Sequence, residues 1–306
     1  MWRLIHRLWG KVSLASHYRR IRIWALAVLV MVASVAFQAA FPQWRFLPGL
    51  SASLGHWMFL AVFFAALLCE YIDSSLGMGY GTTLTPLLLL AGFEPLQIIP
   101  CVLLSEFLTG LLAALMHHRD GNVDFLRDRK VRTTALLLSA LSAVGAIAAV
   151  TFAVRIPKLW LTSIIAVIIV SVGVITLATL RRRFAYRPSH MLALGAVAAF
   201  NKGLSGGGYG PLLTAGQVVS GMSPKQAVAI TSLAESFTCF VGLVAFLVLQ
   251  GSHIDWTLAM PLSTGAILSV PVATLTVRRL PENVMRACVG GATCLLGLLA
   301  LAKVML

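Results

Sequence analysis

Five ionisable residues stand inside otherwise apolar stretches of this sequence: Glu70, Asp73, Glu106, Lys202 and Glu235. A charge in such surroundings is costly unless it is paired, protonated or wetted, so each is a functional candidate by default. Two glycine-rich runs lie close by, Gly77-Met78-Gly79-Tyr80-Gly81 and Gly206-Gly207-Gly208-Tyr209-Gly210. Glycine lets successive N–H groups converge, and a helix starting there offers the positive end of its dipole, so both features favour an anion. Thr82, Thr83, Thr85, Ser205 and Thr214 supply hydroxyl donors beside the two runs. The plainer alternative is that the glycines only let helices pack closely.

Glu106 and Glu235 occupy matching places, in S-E-F-L-T and A-E-S-F-T, each the eleventh residue beyond Pro95 and Pro224. As neutral acids they can donate to an anion or carry a proton; alternatively they hold broken backbone through hydrogen bonds. Tyr80 and Tyr209 suit either a site or packing with a satisfied hydroxyl. Glu70, next to Tyr71 on a segment end, is the least informative of the acids.

The elements that must carry these groups are membrane helices. Of 306 residues, 59% are hydrophobic and 11% charged. Runs such as Ile23 to Phe41 and Leu159 to Leu180 have the roughly twenty uncharged residues that span a bilayer core. This excludes an ordinary soluble domain. The net charge of +14 would suit nucleic acid, but the basic residues sit between apolar segments. With the N-terminus inside, eighteen of twenty-four Lys and Arg fall on cytoplasmic loops, the bias of the positive-inside rule. Nucleic acid is therefore not a partner. The five cysteines read as small packing residues, the histidines lie in or beside loops and flanks, and no metal or cofactor is expected.

At an offset of 129, Gly77 to Thr109 and Gly206 to Thr238 match at twelve of thirty-three positions. Chance would give roughly three, so the chain contains an internal repeat. The loop from His117 to Arg132 is basic whereas its counterpart from Gln250 to Trp256 has no Lys or Arg, which predicts opposite orientations. Each copy reads as a hairpin of broken or half-length helices followed by three full spans. These are Leu96 to Met116, Ala135 to Val154 and Leu159 to Leu180, then Ala227 to Leu249, Trp256 to Val277 and Val284 to Ala302.

The predicted architecture is an all-α polytopic membrane protein with two inverted-topology repeats. Residues 1–22 form a basic amphipathic cytoplasmic segment, 23–56 an extra transmembrane helix and external loop, 57–187 the first repeat and 188–306 the second. The N-terminus is cytoplasmic and the C-terminus external. The same offset sets Asp73 opposite Lys202, as a pair that exchanges partners with an incoming anion, as a permanent salt bridge, or as two residues that each face their own vestibule.

The block D-S-S-L-G-M-G-Y-G-T-T-L-T-P-L-L-L at Asp73 to Leu89, with its second copy N-K-G-L-S-G-G-G-Y-G-P-L at Asn201 to Leu212, resembles the TauE/SafE family of bacterial membrane anion exporters. The resemblance covers about Trp57 to Leu306. It implies export of sulfite, sulfoacetate or a related organosulfur anion through the inner membrane. The substrate-binding candidates are Ser75, Gly77, Gly79, Tyr80, Gly81, Thr82, Lys202, Ser205, Gly206, Gly207, Gly208, Tyr209 and Gly210, with Asp73, Glu106 and Glu235 as coupling or gating groups.

Competing functions are weaker. Uptake of such an anion, or a cation or proton pathway along the acids, would use the same architecture. An intramembrane enzyme needs a nucleophile and base on facing helices, and Ser-His or Cys-His partners are absent from the apolar spans. A receptor or scaffold would leave the buried polar pairs without a purpose.

Overall fold

Glycine and proline punctuate a chain that is otherwise helix-forming, and the element boundaries follow them. The structure, a computed structural model, describes residues 22–23, 25–30, 32–34, 37, 55–152, 174, 195–196, 198, 209–250 and 254–305. Eight helices are complete among these residues: α1 (His56–Leu76), α2 (Tyr80–Leu90), α3 (Pro95–Arg119), α4 (Arg129–Phe152), α5 (Tyr209–Val219), α6 (Pro224–Gln250), α7 (Trp256–Arg279) and α8 (Glu282–Met305). No strand occurs among the described residues.

α1, α3, α6 and α7 are long and apolar enough to cross a membrane. Large apolar side chains on their outer faces, among them Leu68, Leu115 and Val248, are exposed. Polar and acidic residues such as Glu70, Thr109, Thr231 and Glu235 are buried. Only a hydrocarbon surround makes that distribution favourable, and this is a multi-pass membrane protein.

α1 ends where Gly77 adopts a left-handed conformation, φ 72°, a region that costs other residues a Cβ clash. Gly79, φ 126°, completes the break before α2. α2 and α5 each have eleven residues, about 16 Å of helix, half of a bilayer core. The expected hairpin is thus only partly half-length: α1, with 21 residues, rises about 31 Å and is a full span, and only the second arm is short. In the second copy the first arm, Met191 to Leu204, lies outside the described residues apart from helical residues 195–196 and 198.

The turns that follow the short helices match residue for residue. Gly92 has φ 92° and Gly221 φ 90°. Phe93 N–H donates to Leu88 O at 3.1 Å, and Met222 N–H to Gln217 O at 3.0 Å. Pro95 and Pro224 then open α3 and α6, where a missing N–H has no cost. Glu94 and Gln97 close a reciprocal cap on α3.

α4 begins six positions before the expected Ala135 span, because Asp128 accepts from the N–H groups of Lys130 and Val131 and so starts a helix in the basic loop. The expected first span is represented by helical residues 23, 25–30, 32–34 and 37, preceded by helical Arg22 of the 1–22 segment, and the Leu159 to Leu180 span by residue 174. The remainder of both, with the 1–21 segment, lies outside the described residues.

Packing pairs α3 with α6, α7 with α1 and α3, and α4 with α6; α2 lies on α3 and α5 on α6. Glycine permits the closest of these approaches. A Cβ on Gly265 of α7 would collide with Phe63 O of α1, and one on Gly110 of α3 would come within 2.7 Å of Ser232 O of α6. At one end of the bundle Lys225 Nζ donates to Arg278 O and Gln226 Nε2 to Asp128 Oδ2, joining the starts of α4 and α6 to the end of α7. At the other end Cys101 Sγ donates to Asp255 O beside the start of α7.

Candidate functional site

Glu70, Asp73, Ser74 and Gly77 recur at helical spacings of three and four, which puts them on one face of α1. All four are buried. Beyond Gly77 the chain turns back, and the first N–H groups of α2 have no partner within their own helix. Carboxylates take them: Asp73 Oδ1 accepts from Tyr80 N–H at 3.4 Å, and Glu106 Oε1 from Gly81 N–H at 3.1 Å. Negative oxygen at a helix start is electrostatically favourable. The donors expected to face an anion are therefore engaged by the protein's own acids in this structure. Glu106 Oε2 also accepts from Cys239 Sγ on α6 at 3.1 Å.

The second glycine turn reaches the first. A Cβ on Gly210 would collide with Gly77 O and lie 2.7 Å from Met78 Cα, so the start of α5 is in backbone contact with the break between α1 and α2. Thr214 Oγ1 donates to Gly77 O at 2.9 Å. The Thr214 and Thr231 hydroxyls are 2.9 Å apart, and Gln217 Nε2 donates to Thr231 Oγ1 at 2.8 Å. Gln217 Oε1 and Ser75 Oγ are buried without a hydrogen-bond partner among the described residues.

Tyr80 is fully buried, its hydroxyl 2.8 Å from Ser105 Oγ. Glu235 is buried on α6, and Glu70 lies within electrostatic reach of both Glu106 and Glu235. Of the expected hydroxyls, Thr214 is committed to Gly77, Thr85 is half-buried and Thr83 exposed. Lys202, Ser205, Gly206, Gly207 and Gly208, with the side chains of Thr82 and Tyr209, lie outside the described residues, and so does the Asp73 to Lys202 pairing.

Two groups that the sequence made inconspicuous belong to the same region. Glu70 does not stand at a segment end but inside α1, 1% exposed, accepting from Ser74 Oγ at 2.6 Å and Thr109 Oγ1 at 3.0 Å. The available signal was its spacing of three from Asp73. His117, read as a flanking histidine, is wholly buried in the last turn of α3. Its Nε2 meets Ser74 O at 3.0 Å, and its Nδ1 meets Asn122 Nδ2 at 3.0 Å. Because Asn122 Nδ2 also donates to Thr274 O at 2.9 Å, its amide nitrogen must face the ring; Nδ1 accepts and the ring proton sits on Nε2. His117 thus ties the C-terminal end of α1 to α3 and α7. Among the described residues no group of three His, Cys, Asp or Glu is arranged to hold a metal ion.

Apolar helices facing lipid, with buried acids and hydroxyls converging on two short helices, define a membrane transporter. The sequence profile of the Sulfite exporter TauE/SafE family matches residues 61–300, and the chain belongs to that family. It is similar to the "Probable membrane transporter protein YtnM" of Bacillus subtilis (strain 168), with 29% identity over 241 residues, covering 74% of this chain and 77% of that protein. No solved structure matches.

Proposed function

We propose that the protein exports a small sulfur-containing anion, such as sulfite or sulfoacetate, across the bacterial inner membrane, binding it between the two glycine turns. The observation that carries this reading is the backbone contact of Gly210 with Gly77 and Met78, which joins two half-length helix starts in a buried, polar place. In the resting state Asp73 and Glu106 occupy the N–H groups of Tyr80 and Gly81. An arriving anion takes these donors over and adds the hydroxyl of Ser75, which has no partner among the described residues. The displaced acids must then be protonated or turn to Lys202, because ionised carboxylates repel an oxyanion.

The two halves act as inverted repeats. This is supported by the identical bounds of α2 and α5 at the offset of 129, by the matched glycine turns, and by packing in which α7 on α3 has α4 on α6 as its counterpart. The end of the bundle bearing Arg119, Arg127, Lys225 and Arg278 is cytoplasmic on the positive-inside rule. Moving one negative charge outwards against an interior at about −100 mV is favourable by about 2.3 kcal/mol, which gives export its direction without an obligatory second ion.

Counterflow of labelled sulfite in proteoliposomes tests the reading, with unlabelled sulfite, sulfoacetate and chloride in turn inside the vesicles. Sulfite counterflow that chloride does not support is the expected result; no counterflow with either sulfur anion rejects the substrate class. A second reading, a cation or proton pathway, is favoured by the carboxylate oxygens that occupy the start of α2. Under that reading the current in a cation gradient persists without any sulfur anion.

A further inference from the structure

We propose that Glu70 is the proton-binding carboxyl of the buried acid cluster, with Thr109 as the hydroxyl that lets it change protonation state without losing a hydrogen bond. The proposal rests on the transporter reading above and extends it to the group through which pH acts.

The argument is one of proton counting. Thr109 Oγ1 lies 3.0 Å from Glu70 Oε2 and 3.0 Å from Ser105 O, two acceptors for a hydroxyl with one proton. With Glu70 ionised, that proton points to Oε2. When a proton from solution arrives on Oε2, Glu70 becomes the donor, Thr109 Oγ1 accepts, and the hydroxyl proton swings to Ser105 O. Ser74 Oγ donates to Oε1 at 2.6 Å in both states. Every group remains satisfied, which removes the usual penalty for altering a buried polar cluster.

Asp73 and Glu106 are built differently. Asp73 Oδ1 and Glu106 Oε1 receive the backbone N–H groups of Tyr80 and Gly81, which can donate but never accept, while Glu106 Oε2 takes the Cys239 thiol. Protonating them at those oxygens opposes two hydrogens and loosens the start of α2. Glu70 instead has a hydroxyl on each carboxylate oxygen, Ser74 on Oε1 and Thr109 on Oε2. Position 199, its equivalent at the offset of 129, is alanine, so one copy only carries the group.

The titratable neighbours come from several elements. Cys69 and Asp73 share α1 with it, Tyr80 faces it from α2, Glu106 from α3 and Glu235 from α6. His117 of α3 reaches it through Ser74, whose carbonyl it holds. α7 brings Arg278 and Arg279, both exposed at its end, and α8 meets this region through apolar Val289 against Met78. Close acids favour sharing a proton over full ionisation of all of them.

Infrared difference spectra of the purified full-length protein in lipid, titrated from about pH 5 to about pH 9, read the carboxyl directly. The expected result is a protonated-carboxyl band that titrates in the wild type and is missing in E70Q but present in E106Q. An identical titration in E70Q overturns the proposal. Should E70Q not fold, T109V takes its place. Hydrogen bonds to an ionised carboxylate are the stronger ones, so T109V is expected to raise the titration midpoint by about one pH unit, with T109S restoring it. A midpoint unmoved by T109V is equally fatal. Sulfite flux at the same pH values is measured alongside: wild-type flux that varies with pH and E70Q flux that does not is the expected pair. If sulfite does not move at all while the Glu70 band still titrates, the substrate assignment fails and the proton site stands.

Discussion

Glu106 Oε1 accepts from the N–H of Gly81 at 3.1 Å, so a carboxyl in the middle of a full-length helix closes the start of a half-length one. That relationship makes the group an acceptor first, whatever its charge.

Gln should therefore replace Glu106 better than Ala. The amide keeps an oxygen for Gly81, whereas Ala leaves a buried N–H bare at a cost of about 1–3 kcal/mol. We expect E106Q to be produced normally and E106A to be lost or to unfold in mild detergent, as read by thermal shift. Sulfite flux in E106Q and E235Q then separates support from coupling: an acid whose Gln variant transports like wild type at every pH carries no coupling proton.

The contact of Gly210 with Gly77 and Met78 leaves no room for a methyl group. Gly210→Ala should separate the two turns, destabilise the protein by on the order of 3 kcal/mol and abolish transport. Gly242, whose Cβ would meet Leu103 side-chain atoms at 3.5 Å or more, should accept Ala in the same assay. Gly79→Ala has space but the wrong dihedral angle, φ 126°, and is expected to cost about 1–3 kcal/mol. Normal activity of Gly210→Ala would move the site elsewhere.

Asp73 and Lys202 are expected to be partners. Asp73→Asn retains an acceptor for Tyr80, so any loss of function reports on charge rather than capping. Asp73→Asn, Lys202→Met and the double variant should be compared for yield and for sulfite affinity. Better yield of the double variant than of either single one shows coupling between them. Unchanged affinity in Lys202→Met removes the lysine from the substrate's contacts.

For orientation, cysteines introduced one at a time at exposed Leu126 and Trp256, in a background with Cys288 and the partly exposed Cys294 replaced by serine and the three buried cysteines kept, suffice. An impermeant maleimide should reach Trp256→Cys in spheroplasts and Leu126→Cys only after lysis. Labelling of both before lysis would contradict the proposed arrangement of the halves.

What the sequence disclosed depended on periodicity and punctuation. The spans of α3, α6 and α7 were legible from apolar length, and the ends of α2 and α5 from Gly92, Pro95, Gly221 and Pro224. The start of α4 was not, because a basic loop is drawn into the helix by the cap at Asp128. Asp73 was recognisable as a candidate but not as a cap, whereas holding broken backbone was one of the two roles open to Glu106; the particular donor a carboxyl meets depends on how α1, α2 and α3 pack. Glu70 was undervalued for the same reason. Its partner Thr109 stands on another helix, 39 residues away. His117 looked like a flank residue because the carbonyl it satisfies exists only where α1 stops.

The bond from Thr214 to Gly77 joins residues 137 apart in the chain. A ribosome adds about 5–20 residues per second, so the carbonyl of Gly77 is made on the order of ten seconds before its donor exists. During that interval the broken end of the first hairpin must be sheltered from lipid by something other than its final neighbour, whether water, the insertion machinery or a temporary helical register. Biogenesis of this protein is thus a problem of timing: the first glycine turn cannot settle until the second half of the chain has been delivered to it.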